Sequence, residues 1–226
     1  MATIYAFGDS ITYGAWDIQQ SGWTGLLRRY LDQLQEHNSE YYGVLYNLGI
    51  PGETTDGLVK RFESEVMARM GKGEDAVFIF AFGANDVAFL SDENRFKVSK
   101  DNFRKNLIGV LDKALAITPK ILLVNILPVV EPKNDAPGSG KIRLNKHIEE
   151  YNGVLKELAE RFRFKLLDVN SAFSRPGFEK LFDKDDGLHP NSEGHKLMFE
   201  IIGPAVLEII GWNDTLNIKV SPSLKN

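Results

Sequence analysis

Short apolar runs alternate along the chain with longer segments whose apolar residues recur every three or four positions. TIYAF (3–7), VLYNLG (44–49), DAVFIFAF (75–82), ILLVNIL (121–127) and FKLLDV (164–169) read as five strands. DAVFIFAF and ILLVNIL are apolar throughout, the pattern of parallel strands covered on both faces. Residues 23–34 place Leu26, Leu27, Tyr30, Leu31 and Leu34 at helical spacing. Further helices are predicted over about 55–70 and over about 101–117, the latter stopping at Pro119. A charged amphipathic helix ends near Arg163, and a last long helix runs from near Ser192 to about Gly211. Residues 128–141, PVVEPKNDAPGSGK, have the composition of a long surface loop. Strands separated by helices pair in parallel through right-handed crossovers. The pattern therefore predicts an α/β chain, a three-layer α/β/α sandwich on a five-stranded parallel sheet. The expected boundaries are one domain over 1–211 and a tail over 212–226.

Composition narrows what such a chain can do. Its 226 residues suffice for a sizeable core within one domain. A formal net charge of -4, with no clustered basic stripe, argues against a nucleic-acid partner. The absence of cysteine excludes disulfides, thiolate metal sites and a cysteine nucleophile. Histidines and acids are too scattered for a metal site. RMGKGED lacks the P-loop spacing and no GxGxxG is present, so no nucleotide cofactor is expected. The most apolar late stretch, LMFEIIGPAVLEIIGW, is interrupted by Glu200, Gly203, Pro204 and Glu208 and reads as a core helix, not a membrane span. Residues 1–14 show no secretory signal pattern, and a cytoplasmic location is the expectation. The sequence sets no oligomeric state.

Function in open parallel sheets gathers at the carboxyl ends of the strands. Ser10 in AFGDSITYG follows the first strand, Gly49 ends the second, and Asn85 in GAND follows the third. Asp186 and His189, both in DGLHP, lie between the fifth strand and the last helix. A serine hydroxyl becomes nucleophilic when a histidine takes its proton, and the imidazole needs a carboxylate to hold the right tautomer. Asp186, three residues before His189, has the spacing for that contact; Asp183 and Asp185 are rivals for the acid and His195 a distant one for the base. Donors for a developing oxyanion are available in the Ser10 N–H, the Gly49 N–H and the Asn85 amide. GAND also reads as a plain turn, with Asn85 and Asp86 bonding locally. Asp9 reads as a brace of its turn, Trp16, Trp23 and Trp212 as core or rim, and His37 and His147 as solvated helix positions. No GxSxG elbow is present.

GDS (8–10), the glycine of NLGIPG, GAND (83–86) and DGLHP (186–190) resemble, in order, the four blocks of the GDSL, or SGNH, hydrolase family. They cover nearly the whole chain, and GDSI in place of GDSL is a departure that touches no catalytic role. The resemblance implies Ser10 as nucleophile, His189 as base, Asp186 as orienting acid, and Gly49 and Asn85 as oxyanion-hole donors. It also implies a flavodoxin-like sheet with strand order 2-1-3-4-5. The implied activity is that of a carboxylic ester hydrolase, cleaving small acyl esters through a covalent acyl-enzyme without metal or cofactor. Arylesterase, thioesterase, lysophospholipase and carbohydrate deacetylase all fall within that class. A non-catalytic ligand-binding domain on the same fold is the other class, and the intact set of five residues favours the enzyme.

Overall fold

The computed structural model describes residues 1–131 and 140–213. Its central sheet has five parallel strands: β1 (Ala2–Gly8), β2 (Gly43–Gly49), β3 (Asp75–Ala81), β4 (Ile121–Val124) and β5 (Lys165–Leu167). The spatial order is β2-β1-β3-β4-β5, as the family resemblance implies. β1 and β2 extend slightly beyond their predicted apolar runs, whereas β3, β4 and β5 are trimmed within theirs by the entry into a loop. The register sets Gly8 level with Gly49 on one side and with Ala81 on the other, so three strands finish at one edge.

Helices cover both faces: α1 (Ser10–Tyr13), α2 (Gly22–His37), α3 (Thr55–Met67), α4 (Lys100–Leu115), α5 (Asn145–Phe162), α6 (Val169–Ala172) and α7 (Ser192–Ile210). α2 packs on α7, whereas α3 packs on α4 and α4 on α5. This grouping follows from handedness. The crossover from β1 to β2 steps one way across the sheet and the later ones step the other way, so right-handed connections place them on opposite faces. The reversal falls at β1, a switch point where such sheets open a crevice.

The core is one contiguous cluster of buried apolar residues. Phe7 of β1 and Phe80 of β3 stack at 5.7 Å, and Phe62 of α3 meets the Phe78 ring edge-on at 5.4 Å. Trp23 is fully buried there, while Trp212 stacks on Tyr41 at 4.7 Å. His37 is exposed, but His147 departs from its expected solvated position: it is half-buried, its ring edge-on to Phe96 at 5.0 Å. A second, three-stranded antiparallel sheet joins Arg95–Phe96, Phe89–Leu90 and Lys141–Ile142. Residues 132–139 of the expected long loop and 214–226 of the expected tail lie outside the described residues. Among the described residues, no helix is long and apolar enough to cross a membrane.

Candidate active site

At the tip of β1 the chain turns directly into α1. Asp9 is the N-cap: its Oδ1 accepts from Ile11 N at 2.9 Å, the bracing role expected of it. Ser10 is thereby fixed as the first helical residue, where a backbone N–H has no acceptor within the helix. Its Oγ lies 2.7 Å from His189 Nε2. His189 Nδ1 in turn lies 2.6 Å from Asp186 Oδ2. The structure thus brings residues 179 positions apart into hydrogen-bond reach.

The DGLHP segment builds this geometry itself. Asp186 Oδ1 accepts from the backbone N–H groups of Leu188 (2.8 Å) and His189 (2.9 Å), leaving Oδ2 for the ring. Burial alone would raise the carboxyl pKa. The hydrogen bonds from the His189 ring and from the His189 and Leu188 N–H groups outweigh it and hold Asp186 below the ordinary aspartate value. Of the two rivals, Asp183 is spent on shaping the loop, accepting from Asp185 N and Asp186 N, and Asp185 is exposed at the cleft. His195 is fully buried beneath the loop after α1, where its Nδ1 accepts from Trp23 N at 3.3 Å, and desolvation pushes its pKa down to about 4.

Trp16 Nε1 approaches His189 Nδ1 at 3.2 Å, with the two rings edge-on at 5.8 Å. One ring nitrogen cannot donate to Asp186 and accept from Trp16 at once. The shorter contact with a carboxylate decides the tautomer: Nδ1–H donates to Asp186, and Nε2 is left as the acceptor facing Ser10. Trp16 then serves as a rim residue, with its backbone at φ 69 and its side chain largely exposed.

Asn85 is buried just after β3, and its amide reaches the same cleft as Ser10. Nδ2 donates to Glu53 O at 3.1 Å and lies 3.4 Å from Asp9 Oδ2, while Oδ1 accepts from Arg143 Nη2 at 3.3 Å. GAND is therefore more than a local turn. Asp86 also reaches out of it, accepting from Thr55 N at 2.9 Å and Thr55 Oγ1 at 2.5 Å. Burial pushes the Asp9 pKa up to about 6 and that of Asp86 up to about 7.

The structure sets Gly49 apart from the cleft. Its N–H donates to Asn47 Oδ1 at 3.0 Å, and it does not line the cleft. A Cβ there would lie 2.2 Å from Tyr13 N, so Gly49 is small because α1 packs on it. The second glycine of NLGIPG takes the cleft position. Ile50-Pro51-Gly52-Glu53 is a turn closed by Glu53 N donating to Ile50 O at 3.1 Å, with Gly52 at φ 78. Proline followed by a positive-φ glycine is the type II pattern, and the closing bond leaves the Gly52 N–H without an acceptor among the described residues. A half-buried Arg61–Glu53 ion pair and an Arg61 Nη2 bond to Leu48 O (2.6 Å) pin the turn to the end of β2. The signal was in the sequence, in the order Pro then Gly.

These residues surround a cleft of about 510 Å³, walled by Tyr13, Trp16, Ile18 and Leu188 on its apolar side and by Gly52, Asn85 and Arg143 on its polar side. Among the described residues, no group of three or more His, Cys, Asp or Glu side chains could hold a metal ion. An aligned hydroxyl, imidazole and carboxylate beside free N–H donors is an arrangement suited to acyl transfer.

Sheet order, layers and the position of this cleft at the carboxyl edge have the form of an SGNH hydrolase. Residues 6–197 match the GDSL-like lipase/acylhydrolase family, and the chain belongs to it. The lipase/acylhydrolase from Enterococcus faecalis is similar in structure over 91% of this chain and 95% of that one, with a TM-score of 0.71 and 25% identity. Axe2, an acetylxylan esterase from Geobacillus stearothermophilus, has the same fold, with a TM-score of 0.67 at 21% identity over 93% of this chain and 94% of its own. The uncharacterized lipoprotein YqeF of Bacillus subtilis (strain 168) is 26% identical over 87% of this chain and 86% of that protein.

Proposed function

We propose that this chain is a serine esterase that cleaves small acyl esters through a covalent acyl-enzyme. The observation that carries the reading is the continuous line from Ser10 Oγ to His189 Nε2 (2.7 Å) and from His189 Nδ1 to Asp186 Oδ2 (2.6 Å), open to a cleft. Ser10 Oγ attacks the ester carbonyl carbon as its proton passes to His189 Nε2, and Asp186 steadies the resulting imidazolium. The carbonyl oxygen becomes an oxyanion facing the Ser10 and Gly52 N–H groups, and the Asn85 Nδ2–H that makes only a long 3.4 Å contact with Asp9 Oδ2 turns to it as charge appears. Collapse of the tetrahedral species breaks the C–O bond to the alcohol, which takes the proton from Nε2. Water then attacks the acyl carbon as its proton passes to Nε2, and the C–Oγ bond breaks to release the acid while Ser10 Oγ recovers the proton from Nε2. The line contains its own base, so activation of the serine needs no metal.

A panel of esters varying acyl length and leaving group, run beside deacetylation of acetylated xylo-oligosaccharides, tests the activity and ranks the substrates. Ser10→Ala is expected to lower kcat by several orders of magnitude with the fold intact, because triad members act as a unit. Phosphonate labelling of the parent at Ser10 is expected as well. Hydrolysis within about tenfold of the parent in Ser10→Ala would remove Ser10 from the nucleophile role. No hydrolysis of any ester by the parent would favour a binding domain.

A further inference from the structure

The buried guanidinium on the polar side of the cleft has no part in the steps above. Arg143 is only 6% exposed, which is rare for an arginine and implies partners worth its desolvation. Its Nε donates to Ala84 O at 2.7 Å and its Nη2 to Asn85 Oδ1 at 3.3 Å. The position is built by the small antiparallel sheet. Lys141–Ile142 pairs with Phe89–Leu90, so the residue before Arg143 is tied by backbone bonds to the segment that follows Asn85.

An asparagine amide has two ends of nearly equal size and opposite hydrogen-bonding character. Only the NH₂ end can stabilise an oxyanion; the carbonyl end would repel it. In this structure three groups select the same orientation. Glu53 O and Asp9 Oδ2 lie beside Nδ2, and both are acceptors. Arg143, which has no acceptor at all, donates to Oδ1. A flipped amide would set NH₂ against a guanidinium and oxygen against two oxygens, losing every favourable contact together.

We propose that Arg143 is a positioning residue, which locks the Asn85 amide with Nδ2 toward the oxyanion; this rests on the esterase reading above. Arg143 touches no reacting atom and acts through Asn85. Its loss lets the amide rotate, so the donor is absent for part of the time when charge develops. The ground-state carbonyl draws little on that donor, so KM stays near its parent value while kcat falls.

The test is a double-mutant cycle on hydrolysis of an activated acetyl ester, using Arg143→Met, Asn85→Ala and the pair. Removing an oxyanion donor outright lowers kcat about a hundred- to a thousandfold, and Arg143→Met, which only frees the donor, is expected to lower it by about ten- to a hundredfold. In the Asn85→Ala background the same Arg143→Met change is expected to alter kcat by less than about twofold. Arg143→Lys, which keeps the charge but lacks the guanidinium fork, is expected to fall between Met and the parent and also to lose its effect once Asn85 is gone. This milder variant carries the test if Arg143→Met does not fold. Equal losses in both backgrounds, or an unchanged kcat in the Asn85 background of the parent, would overturn the positioning role while leaving the esterase intact. A parent that cleaves no ester and takes no phosphonate at Ser10 would overturn both.

Discussion

Asp86→Asn should change how stability depends on pH. The Asp86 side chain is fully buried, its Oδ1 accepts two bonds from Thr55, and its Oδ2 has no hydrogen-bond partner among the described residues. Desolvation is the largest cause of its rise from 3.8 to about 7; the Thr55 bonds oppose it, and the Asp9 charge adds to it. The folded chain therefore keeps a proton that the unfolded chain gives up. A raised folded-state pKa means a contribution fully present below about pH 4 and lost as pH rises through about 7. A shift of about three units corresponds to roughly 4 kcal/mol in full, and roughly 3 kcal/mol of it is lost between about pH 5 and about pH 9. Asparagine stays neutral and keeps the acceptor for Thr55. Its unpaired NH₂ costs about 1–3 kcal/mol, but that penalty does not vary with pH. Urea unfolding of parent and variant across this range should show the variant gaining on the parent by roughly 3 kcal/mol as pH rises. The imidazole of His195 titrates in both proteins and cancels in the difference. Parallel curves, agreeing in slope to within about 1 kcal/mol over the range, would show that Asp86 is ionised in the folded state and refute the reasoning.

Two glycine substitutions separate packing from chemistry. Gly49→Ala, with its Cβ 2.2 Å from Tyr13 N, should lower Tm. Gly52→Ala has open space for its Cβ but a strained φ of 78, so it should leave Tm closer to the parent and depress kcat by displacing an N–H; the reverse pattern would return the oxyanion role to Gly49. Hydrolysis should survive excess EDTA unchanged, because the proposed mechanism activates Ser10 through His189; a loss restored by zinc or manganese would replace the serine mechanism with a metal-activated water.

Long periodic segments were legible because burial on a sheet or helix face imposes a repeat on the sequence. The five strands and the helices around them follow from that repeat, and Ser10, Asn85, Asp186 and His189 could be placed because each follows a strand or precedes a helix. What could not be read lacks a repeat. α1 is four residues long and the strands of the small sheet are two each, too short for any period. Gly49 and Gly52 share one segment, and only the turn between them decides which N–H reaches the cleft. Arg143 sits in a charged stretch, KIRLNK, between the expected surface loop and the charged helix; its burial follows from the pairing of the neighbouring Lys141–Ile142 with Phe89–Leu90, a contact between distant parts of the chain. Asp86 reads as a turn residue, yet its carboxyl bonds to Thr55 at the start of α3.

On the proposed mechanism, the distance along the chain between Ser10 and His189 would make activity a late event in folding. β1 pairs with β2 and β3 through contacts some forty to seventy residues apart, whereas His189 precedes α7, which packs on α2, so its placement depends on contacts of far larger separation. Closing so large a loop is slow, and it rewards the chain only at the end. A chain emerging during synthesis would carry its serine from the outset and remain inert until its last helix had packed. Recovery of hydrolysis on refolding would then trail the return of helical signal, and the interval between the two would time the docking of α7.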